Sequence, residues 1–213
     1  MSARGQGRFI TLEGGEGTGK STQARRLAAA LSSRGISCVT TREPGGSPGA
    51  EEIRSLLVRG ETGRWDPLTE TMLMFAARAD HVARTIKPAL AARKWVICDR
   101  FTDSTYAYQG AGRGIPRETI RRVEAIALGD FQPDLTLVLD LPVEEGLARA
   151  HGRASSENRF EHFDRDFHER LRAAFLAIAR RAPDRCRLID ASRSEDEVAD
   201  TILSTVRKQF RVR

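Results

Sequence analysis

Residues Gly14-Gly15-Glu16-Gly17-Thr18-Gly19-Lys20-Ser21 fit the spacing G-x-x-x-x-G-K-S and follow directly on the apolar run Arg8-Phe9-Ile10-Thr11-Leu12-Glu13. No other stretch constrains the fold as strongly. Glycines at these positions let successive backbone N–H groups converge on phosphate oxygens, Lys20 reaches the β/γ-phosphates, and the Ser21 hydroxyl is a ligand for Mg²⁺. Such a cradle needs a strand before it and a helix after it. Thr22-Gln23-Ala24-Arg25-Arg26-Leu27-Ala28-Ala29-Ala30-Leu31 carries apolar residues at helical spacing, so the order is satisfied and residues 14–22 are expected to hold ATP or GTP.

Apolar runs then alternate with helical patterns to the end of the chain, the signature of βαβ units and a parallel sheet. Five runs read as strands, 8–13, 36–41, 94–99, 135–140 and 186–190, and their lack of polar alternation implies helices on both faces. Helices are expected at 19–33, 50–59, 67–92, 117–127, 143–150, 164–181 and 195–210. A length of 213 residues with 40% hydrophobic content suits one α/β domain, without internal repeats or low-complexity linkers.

The polar residues 1–7 are too short for a signal peptide and no apolar run approaches the roughly 18 residues of a membrane span, so a soluble, cytoplasmic protein is expected. Cys38, Cys98 and Cys186 stand far apart beside aliphatic residues, with no C-x-x-C pair, and read as reduced core thiols. The net charge of +6 suits nucleic acid or a small anion. Scattered arginines, often beside acids, and only 6% aromatic residues leave no basic stacking platform, which favours the small anion over nucleic acid.

Ligands of an open parallel sheet gather at the carboxyl ends of its strands. Glu13 ends the first run, Arg42 and Glu43 follow the second, and Asp99 and Arg100 end the third, so these charges share the mouth that holds the glycine loop. Asp99 is placed to hold Mg²⁺ opposite Ser21, and the planar fork of Arg100 suits a phosphate. Arg54, Arg78, Arg149, Arg153 and Arg159 are further candidates among which composition does not choose. The polar stretch 151–159 reads as a mobile, arginine-bearing lid.

Two stretches go beyond a generic phosphate loop. Asp99-Arg100-Phe101-Thr102-Asp103-Ser104-Thr105-Tyr106-Ala107-Tyr108-Gln109-Gly110 fits D-R-[FY]-x-x-S-x-x-A-Y-Q-G, and Thr41-Arg42-Glu43-Pro44-Gly45-Gly46 contains R-E-P-G-G. With the glycine loop, they make nearly the whole chain resemble the thymidylate kinases, nucleoside monophosphate kinases that convert dTMP to dTDP. The resemblance implies a P-loop NTPase fold with strand order 2-3-1-4-5, transfer of the γ-phosphoryl group of MgATP to dTMP, and a homodimer packed through helices beside the sheet.

It also implies roles. Glu13 and the Glu43-Pro44-Gly45 turn would border the deoxyribose, Arg54 and Arg100 would bind the dTMP phosphate, and Arg78 would donate to thymine O4. Thr105 falls near thymine N3, with Ser104 beside it; Tyr108 would pack on the sugar and disfavour a 2′-hydroxyl, and Gln109 would touch base or sugar. Many relatives carry a Phe four residues before the base-reading Arg. Here that position is Met74, with Phe75 one residue displaced, and the choice between them stays open. The variable loop positions Gly15, Glu16, Gly17 and Thr18 include no basic residue, so a lid at about 148–160 would supply the missing charge, as in the bacterial type. Arg153 is the leading candidate, acting with Lys20, Asp99 and Arg100, while Arg149 and Arg159 would contact adenine or phosphate.

Overall fold

The structure, a computed structural model, describes residues 6–151 and 159–212. Five parallel strands form a sheet in the order β2-β3-β1-β4-β5, with β1 at Phe9–Glu13, β2 at Cys38–Arg42, β3 at Trp95–Asp99, β4 at Leu135–Asp140 and β5 at Cys186–Asp190. Order and positions match the expectation, with boundaries shifted by no more than two residues. The pairing Leu12↔Asp99 and Arg42↔Asp99 brings the carboxyl ends of β1, β2 and β3 level. Glu13, Arg42 and Asp99 therefore share one rim.

Alternation along the strands feeds two layers. Ile10, Leu12, Ile97, Leu137 and Leu139 pack against Leu27 and Leu31 of α1 (Lys20–Ser32) and Val198, Ile202 and Val206 of α9 (Glu195–Phe210). On the other face Phe9, Val96 and Cys98 meet Phe75 of α3 (Pro67–His81) and Ile120 of α6 (Arg117–Leu128), while Val138 meets Phe167, Leu171 and Phe175 of α8 (Arg165–Arg181). Each fully buried Leu, Ile or Phe contributes about 1.5–3 kcal/mol relative to exposure. Burial on both faces holds for β1 and β3 but not at the edges: β2 is only half-buried and Leu188 of β5 is exposed. An edge strand has a neighbour on one side only, and the helices are centred on the middle of the sheet.

Two helical expectations need correction. The helix expected over 67–92 consists of α3, then wide i→i+5 turns at Val82–Ile86, then a short α4 (Lys87–Ala91). Pro88 has no N–H for the carbonyl of Arg84, and its ring crowds that carbonyl, so the turns before it open. A helical segment that no periodicity announced, α5 (Thr102–Thr105) continued by wide turns at Tyr106–Gly112, follows β3. Its unpaired N-terminal donors are captured by β1: Glu13 accepts from the Phe101 and Ser104 N–H groups at 2.7 and 3.3 Å and from Ser104 Oγ at 2.6 Å.

A buried ion pair closes the fold beside α2 (Pro48–Leu57). Arg159 Nη1 lies 2.5 Å from Glu70 of α3, and its guanidinium also donates to the carbonyls of Leu57, Glu61 and Thr62. Glu70 further accepts from Gln109 at 3.0 Å. Among the described residues no helix is long and apolar enough to cross a membrane. Glu70 keeps a longer contact with Arg113 at 3.5 Å, so Arg159→Ala should lower unfolding stability by about 3 kcal/mol, the low end for breaking a buried pair, in urea titrations, with the Arg159→Met/Glu70→Gln double variant losing clearly less.

Candidate active site

The glycine loop turns from β1 into α1 under tight steric limits. Gly17 has φ 68°, and a Cβ on it would stand 1.9 Å from the carbonyl oxygen of Gly146 on α7 (Val143–His151). Conversely, a Cβ on Gly146 would stand 2.6 Å from the Glu16 carbonyl oxygen. Loop and helix thus touch backbone to backbone. Lys20 Nζ folds onto the loop, donating to Gly15 O at 2.6 Å and Thr18 Oγ1 at 3.2 Å. Burial, and then the Arg100 charge, lower its pKa to about 8.

Ser21 Oγ donates to the Asp99 carboxylate, as expected for a pair that shares a cation. Asp99 Oδ1 is buried and, among the described residues, has no hydrogen-bond partner. An oxygen-only pair with an orphaned carboxylate oxygen fits Mg²⁺, which prefers one or two carboxylates plus waters and phosphates to an all-protein cage. No described group of three or more His, Cys, Asp or Glu forms such a cage.

Between the loop and helices α2, α3 and α5 opens a cavity of about 200 Å³. Arg100 crosses its floor. Its φ of 72° costs about 1–2 kcal/mol for a non-glycine residue. The conformation is held by Nη1 donation to Gly14 O at 3.0 Å and Ser104 Oγ at 3.2 Å, and by an ion pair of Nη2 with Glu16 at 2.9 Å. The guanidinium lies 4.8 Å from the Tyr108 ring centroid, and the Tyr108 hydroxyl donates to Glu16 at 2.6 Å. Burial alone would raise the Glu16 carboxyl, but Arg100, Lys20 and the Tyr108 hydroxyl hold it down at about 2. Glu16 is a fixed anion between two cations.

Arg78 stands at the far wall. Its Nε donates to Glu43 Oε2 at 2.6 Å, Nη1 to Thr105 Oγ1 at 3.0 Å and Nη2 to Phe101 O at 3.1 Å, all buried. Pro44, Arg54, Met74, Ser104 and Gln109 complete the lining with Lys20, Ser21 and Asp99. Most of the expected site residues therefore meet around one cavity.

Others do not. Glu13 is fully buried, both its carboxyl oxygens are occupied by the start of α5, and it does not line the cavity, so it braces the site from behind; burial, together with the Asp103 charge, pushes it up to about 8. Phe75 is a core residue beneath the Arg78 guanidinium at 4.8 Å, while Met74 reaches the cavity wall. Arg159 is spent on Glu70 and three carbonyls and is not free for adenine or phosphate. Gly14, Gly15 and Thr18 border a separate small recess against α8. Thr22 accepts from Arg25 at 3.4 Å, outside the cavity. Arg149 sits by the carboxyl end of β5, donating to Ala191 O at 3.1 Å. Arg153 lies outside the described residues.

Arg42, expected at this mouth, lines the wall, and two further wall residues were not anticipated: Val58 and Phe160. Phe160 packs edge-on against Tyr108 with centroids 5.5 Å apart. Its sequence signal is the pair Phe160 and Phe163 at the end of a polar run.

The thymidylate kinase family model matches residues 12–202. A thymidylate kinase of Caulobacter vibrioides is 56% identical over 201 residues, covering 94% of this chain and 96% of that protein. One from Ruegeria pomeroyi is 52% identical over 202 residues, covering 95% of each. The crystal structure of thymidylate kinase from Ehrlichia chaffeensis superposes with a TM-score of 0.76 at 35% identity, covering 94% of this chain and 99% of that one. The chain belongs to the thymidylate kinase family.

Proposed function

We propose that the chain transfers the γ-phosphoryl group of ATP to the 5′-phosphate of dTMP, giving ADP and dTDP. One observation carries the reading: one cavity is lined by Lys20, Ser21 and Asp99, by Met74, Arg78 and Thr105, and by Arg54 and Arg100. A nucleoside acceptor would leave those two arginines without a phosphate to neutralise.

The loop N–H groups and Lys20 hold the donor phosphates, and Arg54 and Arg100 hold the acceptor phosphate in line. Ser21 and Asp99 would hold Mg²⁺, which when bound neutralises charge on the phosphoryl oxygens. No protein base is needed, because the acceptor phosphate is already an anion at neutral pH. Arg78 and Thr105 read the base, with Arg78 offering only donors and so favouring a carbonyl over an exocyclic amine. The Tyr108 ring lies against the sugar.

The loop contains no arginine of its own, and we assign the missing cation to Arg153. Apolar side chains left exposed on α2, α3 and α6, Leu56, Leu68, Met72 and Ile126, support a homodimer through that face. The unpaired cysteines suit a reducing, cytoplasmic setting.

An ADP-release assay with dTMP, dUMP, UMP, dCMP and thymidine should show dTMP as the preferred acceptor; turnover of thymidine with none of dTMP would overturn the reading. Arg153→Ala should lower kcat by orders of magnitude with little change in the KM for dTMP, and an unchanged kcat removes Arg153 from the mechanism. Lys20 binds phosphate only when protonated. With its pKa lowered, the charge is present below about pH 8 and lost above it. ATP affinity of the free enzyme should therefore fall as pH rises through 8, while the same titration of Lys20→Arg stays flat; a break that persists in that variant belongs to another group, such as Glu13.

A further inference from the structure

We infer that His81 is a positioning residue for base selection, holding Glu43 so that Glu43 in turn aims Arg78; this rests on the reading of Arg78 as the base contact. His81, on α3, is fully buried and does not line the cavity. Its Nδ1 lies 2.9 Å from Glu43 Oε1, and its Nε2 lies 2.7 Å from Thr41 Oγ1 on β2. Glu43 Oε2 takes the Nε–H of Arg78 at 2.6 Å. The relay runs from an edge strand, through an imidazole and a carboxylate, to the guanidinium.

Chemistry fixes the direction of each bond. A carboxylate only accepts, so Nδ1 carries the proton. With the proton on Nδ1, the neutral ring has its lone pair on Nε2, and the Thr41 hydroxyl donates to it. The guanidinium has five N–H groups. Glu43, Thr105 and Phe101 O occupy three of them, while the Phe75 and Phe101 rings lie 4.8 and 5.3 Å from its centre. The two remaining donors are therefore aimed by how Glu43 is held.

The turn after Glu43 is shaped around the ring. Gly46 has φ 89°, a Cβ there would stand 2.3 Å from His81 Nε2, and its carbonyl is fixed by Thr85 Oγ1 at 2.7 Å. The second glycine of the R-E-P-G-G stretch thus makes room for the imidazole, which ties a glycine of the motif to base selection through His81.

An asparagine amide nitrogen can replace Nδ1, whereas a glutamine amide reaches the Nε2 position instead. His81→Gln should raise the KM for dTMP about 10- to 100-fold with kcat nearly unchanged and narrow the preference for dTMP over dCMP. His81→Asn should restore both toward the parent values. Two-bond ¹H–¹⁵N correlation spectra of the parent protein should show the Nδ1–H tautomer, a readout that does not depend on any variant folding. Equal behaviour of the two variants, an unaltered KM in His81→Gln, or an Nε2–H tautomer would overturn the role of His81. An unaltered KM in Arg78→Met would strike the base reading itself, and the relay's function with it.

Discussion

A single carboxylate joins the two halves of this site. Glu13 ends the strand that delivers the glycine loop, and it also captures the first N–H groups of the helix that carries Ser104, Thr105, Tyr108 and Gln109. The glycine loop and the α5 segment are therefore built off the two sides of one side chain. Because the group is wholly buried, its hydrogen bonds are not exchanged for water, and their geometry passes undiluted from β1 to α5. The spacing between the glycine loop and the α5 segment is set by this brace.

Charge is arranged on the same plan. Lys20 and Arg100 crowd the loop, and Glu16 lies between them, accepting from Arg100 and from the Tyr108 hydroxyl. Without that anion two buried cations would face each other in a weakly screening environment. With it, about half of that charge is offset before any phosphate arrives. Arg100 is further locked by a backbone conformation that non-glycine residues seldom adopt, so little reorganisation remains for the moment of binding.

Much of this was legible in residue order alone. The strand order, the phosphate loop, the Ser21–Asp99 pair and the meeting of Arg54, Arg78 and Arg100 follow from short motifs whose geometry is local or set by the rim of a parallel sheet. What escaped depends on tertiary packing. The segment at 102–112 shows no helical periodicity because its residues serve a cavity, a core and Glu13 at once. Arg159 sits in a polar run that suggests solvent, yet Glu70 lies 39 positions away from Gln109 and 89 from Arg159, and only folding brings the three together. Met74 and Phe75 differ by one helical step, too fine a distinction for spacing to decide.

The contact between Gly17 and Gly146 has a further consequence. Two main chains meet there with no side chain between them to yield, so the position of helix α7 fixes that of the phosphate loop. Helix α7 leads directly into the stretch that holds Arg153. Donor recognition in this chain consequently has a boundary condition set at a position that touches no nucleotide, where a single added methyl group would push the cradle out of register.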